Sequence, residues 1–236
     1  MENKITNHLL KRLLPLALVI AGFFVNVHSQ IAAPIYDTDF QLWNETQIIV
    51  PLTKAKDWNF VFSIVGRFGN DVRTTTDARI GGMITKKINK HVTLGGGYLY
   101  RYSNPTFVRK RYESRYIGSA TFTFPLCGKF TFMARPQVQY EDRYSRPNAV
   151  VIEPRFTIKR EVTLAKKKFE PFVSFEPFYD FMQKIFVSYR EQVGISHKFN
   201  KNITADIYYI RQDVPGDGTR PGKFNGIGTN LKVTVR

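Results

Sequence analysis

Apolar and polar side chains alternate along the chain from Asp39 to its end. Trp58, Phe60, Phe62, Ile64, Gly66 and Phe68 share one parity; Asn59, Val61, Ser63, Val65 and Arg67 take the other. Val92, Leu94, Gly96, Tyr98, Tyr100 and Tyr102 stand against Thr93, Gly95, Gly97 and Arg101. The same period of two runs through 110–125, 130–141, 148–161, 169–180, 184–199, 203–212 and 224–236. Side chains two apart lie on one face of a strand, so this pattern predicts sheet throughout. No long stretch after the N-terminus has a helical period. The alternating runs are about 11–15 residues long, against about 5–6 for strands of soluble sheets. A tilted strand crossing a bilayer needs roughly 9–11 residues. Many runs also end in aromatics, among them Trp58, Phe68, Tyr100, Tyr112, Phe124 and Tyr140, as the two interfacial girdles of a membrane barrel require. The predicted fold is all-β: a transmembrane up-and-down antiparallel β-barrel. A soluble exported β-sandwich or lipocalin-like barrel also alternates, with its rings turned to a private core.

The turns fall into two alternating groups. One is short and rich in lysine: Lys54 to Lys56, Lys86 to Lys90, Pro125 to Lys129, Lys166 to Lys168 and Asn200 to Asn202. The other is more varied and partly longer, and includes Ser103 to Arg109 and Asp213 to Lys223. Membrane barrels keep short turns in the periplasm and longer loops outside, which places the lysine turns inside the periplasm. Eleven strands can be counted, starting with 39–51. Bacterial single-chain barrels have an even number, so twelve strands are expected, with residues 30–38 supplying the last; ten is the alternative.

The N-terminus changes the picture from shape to location. Met1 to Arg12 is polar and basic, Leu13 to Val27 is almost wholly apolar, and Val27-His28-Ser29 offers a cleavage site. This is a signal-peptide pattern over residues 1–29, leaving a barrel domain at 30–236. The apolar run is shorter than a spanning helix and holds Pro15 and Asn26. The net charge of +16 would by itself suggest nucleic acid. Export argues against that partner, and removal of residues 1–29 still leaves +14. The expected location is the bacterial outer membrane. The expected partners are its lipids and the barrel-assembly machinery during biogenesis, with a small solute as a further candidate. Cys127 stands alone, so no internal disulfide is available.

Candidate chemistry lies on the polar parity. If the rings face lipid, the lumen receives both signs of charge, among them Arg67, Asp77, Arg79, Arg101, Glu113, Arg115, Glu141, Asp180 and Asp206. A pure ring of arginines would suit an anion channel; mixed signs suit cross-strand ion pairs that fill the interior. The strongest candidate network is Arg135, Glu153, Arg155, Glu176 and Arg190, predicted inward on successive strands. Glu191 has the opposite parity and is turned towards lipid, a conflict that a bulge or an interfacial position would relieve. Only His91 and His197 remain after signal removal, and Ser196 and His197 point to opposite faces. The sequence holds no metal, nucleotide or calcium-loop motif, so no cofactor is expected and a non-enzymatic role is favoured: a narrow channel, a carrier or a structural barrel. A lipid-modifying barrel enzyme is the alternative. The run Gly95-Gly96-Gly97 precedes no helix and is expected to allow a bend or a close packing contact.

Several motifs occur in a recognisable order: Asp39-Phe40-Gln41-Leu42-Trp43, then Ala134 to Arg143, Ile152 to Lys159, Glu170 to Asp180, Tyr189 to Ile210 and Phe224 to Val235. Together they resemble the bacterial family catalogued as domain of unknown function 2490. The resemblance implies an outer-membrane β-barrel and brings no assigned activity or catalytic residues. The chain departs from many outer-membrane strands in ending Thr234-Val235-Arg236 rather than on an aromatic.

Overall fold

A computed structural model describes residues 38–104, 110–144, 146–214 and 222–235. The strands are β1 (Thr38–Pro51), β2 (Trp58–Gly69), β3 (Thr74–Lys87), β4 (Val92–Ser103), β5 (Arg111–Pro125), β6 (Phe130–Arg135), β7 (Gln137–Arg143), β8 (Ala149–Ile152), β9 (Arg155–Arg160), β10 (Val162–Leu164), β11 (Lys167–Asp180), β12 (Ile185–Lys198), β13 (Ile203–Val214) and β14 (Gly222–Thr234).

These fourteen segments build eleven staves. Pro136 separates β6 from β7, and Pro154 lies between β8 and β9. Proline has no N–H to give the ladder, so pairing lapses there without a change of register. Arg135 faces Arg155 on one side of the gap, and Val138 faces Ile152 on the other. β8, β9 and β10 likewise lie along β11 in one continuous register, from Tyr179 opposite Ile152 to Phe169 opposite Val162.

The strand number is eleven, not the expected twelve or ten. With an odd count the first and last staves run the same way, so the barrel closes through a parallel pair. β1 and β14 pair from Thr38 opposite Lys223 to Ile49 opposite Thr234. The even-number expectation assumes antiparallel pairing all the way round, and this one seam removes the assumption. The strand sought in residues 30–38 falls almost wholly outside the described residues. Thr38 already belongs to β1, whose N-terminal end therefore lies at the longer-loop end, while β14 finishes at the lysine-turn end.

The lysine turns are tight. Leu164 pairs with Lys167 across Ala165 and Lys166, both of which have positive φ (48° and 64°). That is the backbone of a type I′ hairpin, whose twist matches the strands it joins. Gly128 and Lys129 also sit in the left-handed region.

The parity expected from the sequence is the parity observed. Rings and aliphatic chains point outward and stay exposed: Ile64 46%, Ile84 49%, Tyr116 54%, Ile207 54%. Arginines and carboxylates point inward and are buried. Outward rings form rows. Tyr98, Tyr116 and Tyr140 stand side by side on adjacent staves, with centroids 5.5 and 6.2 Å apart. Phe124, Phe132 and Phe156 form a stacked row on the lysine-turn side, 6.3 and 6.5 Å apart. Basic side chains cap rings at that end, with Lys86 over Trp58 at 4.8 Å and Arg160 over Phe130 at 4.9 Å. The Gly95-Gly96-Gly97 run does serve close packing at Gly97. A Cβ there would come within 2.4 Å of the Gly82 carbonyl oxygen and of Met83.

The parallel seam can be tested directly. Asn44 and Thr229 face each other across it, and the Asn44 amide donates to the Thr229 hydroxyl at 2.9 Å. With Cys127 replaced by Ala, the Asn44→Cys/Thr229→Cys pair is expected to oxidise to an intramolecular disulfide that alters mobility on a denaturing gel. Persistent free thiols in the folded protein would contradict the closure.

Candidate functional site: an ionic lumen

Inward parity on eleven staves brings the charged residues together from strands far apart in sequence. They collect in the half of the lumen nearer the longer loops. Inward residues there are nearly all buried, whereas those nearer the lysine turns, such as Ser63, Thr85, Ser119, Thr121 and Thr157, are half-buried. The lumen is therefore more completely filled at its loop end.

Two hubs organise the filled half. Asp77, on β3, receives Arg79 at 2.8 Å and Arg101 at 2.5 Å, with Arg67 at 3.8 Å. Arg101 reaches on to Glu113 at 3.1 Å, which also takes Arg115 at 2.6 Å and Arg146 from the loop after β7. Arg115 continues to Glu141 at 2.8 Å and donates to the Gln139 side-chain oxygen at 3.0 Å. The second hub is Glu176, on β11, only 1% exposed. Arg155 donates to both its oxygens at 2.9 Å, Arg190 at 2.8 Å and Arg135 at 3.2 Å. The forked Arg155 contact is the strong geometry for a guanidinium and a carboxylate.

The hubs meet through an aromatic clamp. Trp43 points inward from β1, with the Arg67 guanidinium 3.5 Å from its ring centroid and Arg190 at 5.1 Å. Arg190 lies also 4.7 Å from the Phe178 ring. The Trp43 indole N–H donates to the Gln41 side-chain oxygen at 2.8 Å. The interior glycines of β14 leave room for these rings: a Cβ on Gly228 would fall 2.1 Å from the Tyr208 ring. Trp43 thus joins the wall made by β1 and β2 to that made by β11 and β12.

Of the five candidates, Arg135, Arg155, Glu176 and Arg190 form one cluster. Glu153 is buried beside them but has no ion pair within reach among the described residues. It accepts instead from the Gln137 and Gln139 amides. Of the wider set, Asp180 lies 4.0 Å from Arg143, and Asp206 accepts from Lys232 at 3.2 Å. Sequence reasoning missed Trp43, although its inward parity with Gln41 was a usable signal. It also missed Arg146, because nothing in a loop sequence says that the loop folds back over the barrel mouth.

Glu191 keeps its outward parity and there is no bulge beside it; the register shift between β11 and β12 lies at Phe178/Tyr179. Instead Glu191 stands opposite Arg211 on β13, three residues from that strand's loop end. The two histidines are apart. The His91 Nδ1 lies 2.9 Å from the Thr123 carbonyl oxygen. The His197 Nδ1 lies 2.8 Å from that of Lys168, its ring stacked on Phe169 at 4.6 Å. No cluster of three metal-ligating side chains occurs among the described residues.

A closed sheet with an apolar exterior and an ionic interior defines a β-barrel of the outer-membrane type. The chain belongs to the family described as protein of unknown function (DUF2490), whose model matches residues 40–221. No curated protein matches it. Among solved structures it is similar to "Outer-membrane expressed OmpT of Vibrio cholerae", at 12% identity and a TM-score of 0.37. The match covers 74% of this chain and 62% of that one, so the chain spans less than two thirds of that protein's length.

Removing the carboxylate at a hub leaves several guanidiniums facing one another without a counter-charge. Glu176→Ala is expected to destabilise the barrel by about 3–5 kcal/mol, the usual cost of orphaning buried charge. Glu170 pairs with Lys159 where both side chains are about a third exposed, and Glu170→Ala should cost at most about 1 kcal/mol. Urea unfolding in lipid vesicles measures both; equal effects would mean that the hub is hydrated.

Proposed function

We propose that this protein is a non-enzymatic outer-membrane barrel whose lumen is closed to free diffusion at its loop end. The observation carrying the proposal is the Trp43 clamp: Arg67, its direct partner on β2, lies over its ring and Arg190 on β12 approaches it across the lumen, while the Asp77, Glu113 and Glu176 ion pairs fill the space around it. Buried ion pairs of this kind hold neighbouring staves in one arrangement and leave no continuous water path through that half.

Export and insertion complete the reading. Residues 1–29 act as a cleaved signal peptide, the barrel-assembly machinery inserts the rest, and outer-membrane lipids surround it. The lysine turns face the periplasm. Their charge suits anionic headgroups of the inner leaflet. A barrel enzyme finds less support, since the Nδ1 of each histidine lies against a backbone carbonyl oxygen rather than a carboxylate.

In planar bilayers the wild-type protein is expected to give no steady conductance, and Trp43→Ala to give measurable openings. A stable wild-type conductance would replace the closed barrel with a channel. The protein should also fractionate with outer membrane and migrate differently on gels before and after heating. Recovery in the soluble periplasmic fraction would overturn the location.

A further inference from the structure

The ion-pair network of the filled half holds more arginine than acid. Nine arginines enter the ion-pair network: Arg67, Arg79, Arg101, Arg115 and Arg135, with Arg143, Arg146, Arg155 and Arg190. Six carboxylates answer them, counting Glu153 with Asp77, Glu113, Glu141, Glu176 and Asp180. The excess concentrates at one place. Arg135 and Arg155 are direct cross-strand partners, and like charges so placed repel. Both lean on Glu176, which Arg190 also claims.

Arg135 and Arg155 are also the most open members of the Glu176 hub, with side chains 33% and 29% exposed against 8% for Arg190. The Arg135 Nε is buried and has no hydrogen-bond partner. The two guanidiniums therefore lie where the filled half of the lumen gives way to the emptier half. Below them, the inward positions are Thr121 on β5, Thr157 on β9 and Ser174 on β11, with Met133 on β6 opposite Thr157. Across the lumen, Glu45 on β1, which accepts from the Gln47 amide at 2.6 Å, is a further carboxylate whose charge reaches both guanidiniums. The far mouth is ringed by eleven lysines in the short turns and adjoining strand ends, against Asp57 and Glu161. Such a rim concentrates anions at the opening.

From this we infer that Arg135 and Arg155 form the floor of a blind anion-binding pocket, entered from the lysine-turn end, that takes a small oxyanion such as phosphate or a carboxylate. The anion occupies the open side of the two guanidiniums and adds its charge to that of Glu176, Glu153 and Glu45 in offsetting their mutual repulsion. Forked N–H groups suit tetrahedral and planar oxyanions alike. The site does not depend on whether the loop end conducts.

The test is calorimetric titration of the refolded full-length barrel with inorganic phosphate and, separately, with acetate. Saturable binding is expected at low salt, weakened at least about tenfold by Arg135→Gln/Arg155→Gln and unchanged by Lys201→Gln in an exposed turn. Arg135→Lys keeps the charge but loses the fork, and should weaken binding while preserving the fold; it serves if the double variant does not fold. No saturable binding to the wild type, or equal binding by wild type and Arg135→Lys, would overturn the inference. Zero conductance with phosphate bound is compatible with it; conductance without phosphate binding sinks the site and the closed-lumen reading separately.

Discussion

Hydrocarbon offers no hydrogen-bond partner to a backbone amide, so a sheet inside a bilayer must leave no edge. In this barrel the whole requirement comes to rest on one seam, where β1 lies parallel to β14 over twelve residue pairs. Slanted parallel bonds are slightly weaker per residue than antiparallel ones, so length compensates for geometry there. The seam also decides direction. With eleven staves, the chain enters the barrel at one end and leaves it at the other, and the two rims come to differ in kind. One collects the lysine turns; the other collects the loops whose Arg146 folds inward.

Closure then dictates the chemistry inside. Once the outward parity is given to rings and aliphatic chains, every polar parity residue is committed to an enclosed space with little water. Charge is expensive there unless paired. The response is not one salt bridge per charge but sharing: Asp77, Glu176 and Glu113 each gather three arginines, with Arg101 common to Asp77 and Glu113. Guanidinium suits this role because its fixed fork reaches two acceptors at once, and its flat face can stack on a ring. Trp43, between Arg67 and Arg190, uses the second property. Among the described residues, the proposed closure comes from such contacts between the walls of the barrel itself. The surplus of arginine is the consequence of that sharing, and it falls on the two guanidiniums that face the emptier half.

Comparison with known proteins adds the family and stops there. A family of unknown function assigns no residue roles, so the functional argument rests on the lumen itself. Its inward Arg135, Arg155, Glu176 and Arg190 are the part of the molecule where geometry and charge make the most specific demand.

The period of two was enough to determine the fold class, the two-sided character of each stave, the division of turns and the inward parity of Arg135, Glu153, Arg155, Glu176 and Arg190. Parity is a local property, read from neighbours in the chain, and it survives folding. Even Glu191 kept its outward parity, and only its partner, Arg211, required the register. What the sequence could not decide was closure and contact. Whether the last stave meets the first in parallel depends on a pairing separated by most of the chain, and so does the count of eleven. Glu153 had the right parity for an ion pair yet went to Gln137 and Gln139, because which inward groups meet depends on stagger between staves. The Trp43 clamp is half of this kind: Arg67 is its direct partner on β2, but Arg190 lies three staves away beyond the parallel seam, and only a closed barrel brings it within reach.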